Sequence, residues 1–180
     1  MLINSAGGSD LPGFQTVMLP SAKFNKPDDP LFFINNRALA AGRMVARAAD
    51  KLKASGFRPD LIVGHSGWGE MIFLREVFPD APQIQLAEYY YRTRGADVGF
   101  DPEFDRPGLE RDIRLHADNA FLALSLSEAD RIVAPTRFQA GLFPPVFRSR
   151  MRIIHEGIDT RRTRCRADAE IAVNGTTLRA

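Results

Sequence analysis

The sequence predicts an α/β domain built on a doubly wound, mostly parallel sheet. Two patterns carry that prediction. Short apolar runs bounded by Gly, Pro or Asp alternate with longer segments whose apolar residues recur at helical spacing. Such alternation sets successive strands parallel, joined by helical crossovers, with helices on both faces. A third observation is size. The chain has 180 residues, 44% hydrophobic and 26% charged, enough for one domain with a sizeable core and too apolar for wholesale disorder.

FQTVML at 14–19 is apolar and flanked by Pro12-Gly13 and Pro20, so it is a strand. SAKFNKPDDP, dense in Pro and Asp, is a loop. Over 30–55, Ile34, Ala38, Ala41, Val45, Ala48 and Leu52 keep helical spacing, with Arg37, Arg43, Arg47 and Lys51 between them. Gly56 stops this helix. Residues 61–63 are a buried strand, followed by the Gly-rich turn HSGWGE and a short helix that Pro79 ends. Residues 84–87 are a second buried strand. Residues 88–107 have no clear period and hold three tyrosines, Arg92, Arg94 and a run of acids. About twenty irregular residues inside a compact domain commonly mark function. Ile113, Ala117, Ala120, Phe121 and Leu124 share one face of a second long helix. Residues 131–134 are a strand, PTRFQAGLF a short helix, and MRIIHEG a last strand and turn. The domain thus spans 1–160. Residues 161–180 are polar and form a linker or tail with at most one short strand.

Composition excludes several classes of function. Lys+Arg is 24 and Asp+Glu 22, so no basic field points to nucleic acid. The single cysteine, Cys165, permits no internal disulfide and no CxxC metal site, and three dispersed histidines make no metal cluster. That usage suits a reducing cytoplasm. No apolar run approaches the roughly 20 residues of a membrane span. The N-terminus has no signal-peptide pattern. Gly7-Gly8 lacks the Lys-Ser/Thr of a P-loop, and the glycines at 64–69 do not spell G-x-G-x-x-G. Ser66 lacks the second glycine of a nucleophile elbow.

In a doubly wound sheet, ligands bind beyond the C-terminal ends of the strands. HSGWGE, EYYYR, PTRFQ and HEGID are therefore the segments that carry chemistry. His65 can donate or accept a proton, Trp68 can stack on a sugar ring, and Gly69 and Glu70 open the following helix near a ligand. The alternative is a tight turn with Trp68 in the core. Glu88 comes directly after a strand, where a carboxylate can orient a hydroxyl by accepting its proton. Tyr89, Tyr90 and Tyr91 alternate in direction, so that some face the cleft and others pack. Thr136 is a helix N-cap, and Arg137 reaches either a phosphate or solvent. His155 and Glu156 flank the cleft, or belong to an exit turn that needs Gly157.

Taken together, the strings RPDLIVGHSGWGE, EYYYRTRGADVGFDPEF, APTRFQ and IIHEGIDT resemble, in order from Arg58 to Thr160, one group within glycosyltransferase family four. GADVGFDPEF is the most specific of them. The resemblance implies the N-terminal, Rossmann-like half of a GT-B glycosyltransferase, which binds the acceptor. It implies retaining transfer from a nucleotide-sugar donor without metal. By the same resemblance His65 and Glu88 are the catalytic candidates. The resemblance places Trp68, Gly69 and Glu70 with His65 on the acceptor side, Tyr90 with Glu88 near the reacting hydroxyl, and Thr136, Arg137 and Glu156 at the interdomain cleft. The segment 2–13 resembles the stretch after the family's second strand, and the C-terminal donor domain is expected to be absent. The expectation is therefore a domain incomplete at both ends, with no cofactor of its own. Its implied partners are a sugar or lipid-linked acceptor and a C-terminal domain or partner chain. Exposed sheet edge would promote self-association. Arg161, Arg162, Arg164 and Arg166 belong to a solvated linker or touch anionic lipid at the inner face of the membrane. The competing reading is a non-catalytic sugar- or nucleotide-binding module, or a decayed gene fragment.

Overall fold

The computed structural model describes residues 2–4, 12–96, 98–101, 103, 107–163, 169–174 and 176–179. Strands β1 (Leu2–Asn4) and β2 (Thr16–Met18) form a parallel pair. A loop and one 3-10 turn lead to α1 (Phe33–Ala54). Then come β3 (Ile62–His65), α2 (Leu74–Val77), β4 (Gln83–Leu86), α3 (Leu109–Asp118) and α4 (Ala120–Ser127). The domain continues through β5 (Arg131–Ala134), α5 (Arg137–Leu142), α6 (Pro145–Arg148) and β6 (Met151–Ile153). Strands β3, β4, β5 and β6 form one sheet in that order, all parallel. Parallel neighbours joined by helices make the domain α/β and Rossmann-like.

Alternation along the strands decides where the core sits. Register places Ile62, Gln83, Gln85, Ile132 and Met151 on one face of the sheet. Ala87, Leu126, Ile132, Phe143, Phe147 and Met151 form one cluster there. Val45 and Ala49 of α1 meet Met71, Leu74 and Phe78 in a second cluster, with Ile62 against it. The opposite face carries Val63, Ile84, Leu86 and Val133, none of them buried. The run 61–63 is thus not a buried strand. β3 ends the sheet, Val63 is 67% exposed, and only alternate residues meet the helices.

Polar groups fasten the layers. Arg75 donates to the carbonyls of Pro79, Ala81 and Glu128 and to the Asp130 carboxylate at 2.7 Å, tying α2 to the start of β5. Gln85 and Ser125 exchange two buried hydrogen bonds, at 2.9 and 2.7 Å. The side-chain amide of Gln83 is fully buried with no hydrogen-bond partner among the described residues. Beyond the domain, β7 (Glu170–Val173) and β8 (Thr176–Arg179) pair as an antiparallel hairpin, two strands where the sequence promises at most one. Asn174, with φ of 49°, begins its turn. Cys165, Arg164 and Arg166 lie outside the described residues.

Candidate active site at the ends of β3 and β4

His65 closes β3 and caps the 3-10 turn that comes next. Its Nδ1 accepts from the N–H of Gly67 at 2.9 Å. An accepting Nδ1 leaves the proton of a neutral imidazole on Nε2. That nitrogen lies 3.1 Å from the Glu88 carboxylate. Register explains the meeting: His65 pairs with Leu86, and Glu88 stands two residues beyond it on the neighbouring strand end. The Glu88 side chain is 46% exposed, so it keeps capacity to accept from a further donor.

The rest of the turn is held by packing. Ser66 is buried and donates to the Leu86 carbonyl at 3.0 Å, which locks the turn to β4 and occupies the only hydroxyl near His65 in the turn. Trp68 is 58% exposed, with its ring 5.9 Å from the imidazole. Of the two readings of Trp68, the core position is therefore excluded. A cleft of about 680 Å³ runs along β3 and includes His65, Trp68 and Glu70, with Glu88 joined to it through His65. That volume suits a small ligand.

Other candidates fall elsewhere. Gly69 has φ of +95°, and a Cβ there would lie 2.2 Å from the Ala38 carbonyl oxygen. It lets the turn lie against α1. Tyr90 points inward, with its ring 5.5 Å from Phe143 and 6.5 Å from Phe147. Burial raises its pKa, with the Arg92 charge opposing. The half-buried Tyr90 ring thus packs against the core, turned toward Phe143 and Phe147. Tyr89 and Tyr91 pair instead, at 5.7 Å. Thr136 caps α5, accepting from Gln139 N–H at 3.1 Å and donating to its side chain at 2.7 Å. Arg137 and Glu156 are exposed at the ends of β5 and β6.

Two asparagines that sequence reasoning misses position the site. Asn119 accepts from Tyr91 N–H and donates to its carbonyl, both at 2.9 Å, fastening the segment after Glu88 to the α3–α4 junction. Asn35 donates to the Ala117 carbonyl and accepts from Phe121 N–H, joining α1 to the same junction. Arg92 donates to the Leu142 carbonyl at 2.6 Å. Among the described residues, no group of three His, Cys, Asp or Glu side chains is placed to hold a metal ion. No helix among them is long and apolar enough to cross a membrane.

The family model of the glycosyl transferase family 4 group matches residues 2–163. The chain belongs to this family. The match takes in β1 through β6, and so the whole parallel sheet and both halves of the His65–Glu88 pair. No curated protein matches the chain. A glycosyltransferase family four domain with a strand-end carboxylate, an oriented imidazole and an exposed indole has the groups that hydroxyl-rich ligands require.

Proposed function

We propose that this domain forms the acceptor side of a retaining hexosyltransferase of GT-B architecture, with the nucleotide-sugar donor held by a second domain or chain. Glu88 accepts a hydrogen bond from the acceptor hydroxyl and orients it. His65 holds one side of that carboxylate through Nε2–H and keeps it in place. The exposed Trp68 ring offers an apolar platform to a sugar face. Glu70 lines the same cleft, and Arg137 and Glu156 face the donor side. Transfer takes place in the cytoplasm, on a sugar or lipid-linked acceptor at the inner face of the membrane. The observation that supports this reading most is the 3.1 Å contact between His65 and Glu88 at adjacent strand ends of a family four domain.

Hexose transfer from labelled nucleotide sugars by the intact native protein tests it. Glu88→Gln and His65→Ala are each expected to lower turnover by about 100-fold, the order of loss when a reacting group is misplaced by about 1 Å. Unchanged turnover in His65→Ala would remove the assignment. Trp68 is the single tryptophan, so its emission reports sugar binding without a second probe. Sugar-dependent emission without transfer would favour the binding-module reading instead.

A further inference from the structure

A second groove adjoins the β3 cleft, between α1 and the segment 17–23 that runs from β2 into the following loop. It encloses about 590 Å³. Lys23, Arg43, Arg47 and Lys51 line it, and no acidic residue does. Arg43, Arg47 and Lys51 are spaced by four, so they share one face of the helix. All four cations are exposed, and among the described residues none of them makes an ion pair. Lys23, Arg43 and Arg47 also line a neighbouring groove that holds Asp50 and Glu76, and among the described residues neither carboxylate forms an ion pair. The floor is apolar, formed by Val17, Leu19, Met44 and Leu52.

Like charges four residues apart oppose one another on a helix. Lys51 lies in the last turn, where the helix dipole favours a cation. Arg43 and Arg47 sit mid-helix and have no such compensation. Four unpaired cations converging on one concavity lower the free energy of a multiply charged anion held there. Arginine forks match phosphate oxygens, and lysines add point charge.

We infer that this groove binds a phosphate-bearing anion, with the phosphate among the four cations and any apolar portion along the floor. The inference does not depend on the transferase reading: the groove borders the β3 cleft through Leu19 and Leu52, but His65, Trp68 and Glu70 do not line it.

The full chain is titrated with inorganic pyrophosphate, and separately sedimented with phosphatidylcholine vesicles prepared with and without phosphatidylglycerol. Arg43→Gln/Arg47→Gln/Lys51→Gln is expected to weaken binding by about tenfold or more, as the loss of three charges near an anionic surface predicts. Pyrophosphate binding that the triple variant loses supports the site with a free anion as its source. Phosphatidylglycerol-dependent sedimentation that it loses supports the site with a lipid headgroup as its source. Binding of neither probe overturns the inference. So does an equal loss in Arg131→Gln/Arg148→Gln, whose cations lie outside the groove, because that result means diffuse surface charge. If the triple variant loses helical circular dichroism, Lys23→Gln in the loop replaces it. A severalfold loss is then expected, and no change counts against the site.

Discussion

The turns that leave β3 and β6 are built alike. In His65-Ser66-Gly67 and His155-Glu156-Gly157, histidine Nδ1 accepts from the N–H of the glycine two residues on, at 2.9 Å in both. Their surroundings differ. Beside β3 runs β4, whose end delivers Glu88 to His65 Nε2. Beside β6 runs β5, whose end delivers Thr136, already occupied as a helix cap. His155 is exposed, with no ion-pair partner among the described residues. The local sequence is enough for the turn, and the neighbouring strand decides whether the imidazole meets a carboxylate. A histidine at a strand end is therefore a candidate only together with the groups that the next strand presents.

The comparison breaks most visibly in activity. His65→Ala is expected to cost about 100-fold in hexose transfer, and His155→Ala less than about threefold, because only the first loses a carboxylate partner. Equal losses would erase the distinction. Stability should separate the same two regions. Gly69→Ala forces a Cβ onto the Ala38 backbone at a φ of +95°, and should destabilise by roughly 3 kcal/mol or more in chemical denaturation. Gly157→Ala has a φ of +78° and open space, so about 1 kcal/mol is expected. Similar losses at both would mean that the α1 contact is not tight. Asn119→Ala removes two hydrogen bonds to Tyr91, expected to cost about 2 kcal/mol in the same assay. It should also weaken Trp68-reported sugar binding, through Glu88, which Asn119→Asp should partly restore.

The smallest effect concerns pH. The hydrogen bond from Arg75, and then that from Gln83 N–H, hold the Asp130 carboxyl below the usual carboxylate range. A folded-state value below the unfolded one contributes stability that is present above about pH 4 and lost as pH falls through the folded value. Asp130→Asn should therefore lower the melting temperature near neutrality by a modest amount. The gap from wild type should shrink in acid. A gap that widens as pH falls would reverse the sign and refute the assignment.

Much of the fold is legible in the sequence because periodicity is local. The α1 spacing and Gly56 place a helix at 30–55, and the helix runs from Phe33 to Ala54. Parallel strand order comes from alternation and crossover rules. His65, Trp68 and Glu88 are legible one by one as strand-end residues. Their meeting is not, because it depends on a register between residues 23 positions apart in number, from 65 to 88. Gly69 looks like a ligand-approach glycine until α1 lies across it. Asn35 and Asn119 look like ordinary helix polar residues, since their bonds cross between elements. The exposure of Val63 depends on β3 ending the sheet. The Asn-Gly dipeptide at 174–175 signals a hairpin that the polar composition around it obscures.

The most direct test is long-range nitrogen–proton NMR of the three imidazoles in wild type and Glu88→Ala. The two turns predict an unprotonated Nδ1 at both His65 and His155. Loss of Glu88 should shift the Nε2 resonance of His65 and leave that of His155 in place. An unmoved His65 resonance, or equal movement of both, would contradict the pairing on which the proposed acceptor site rests.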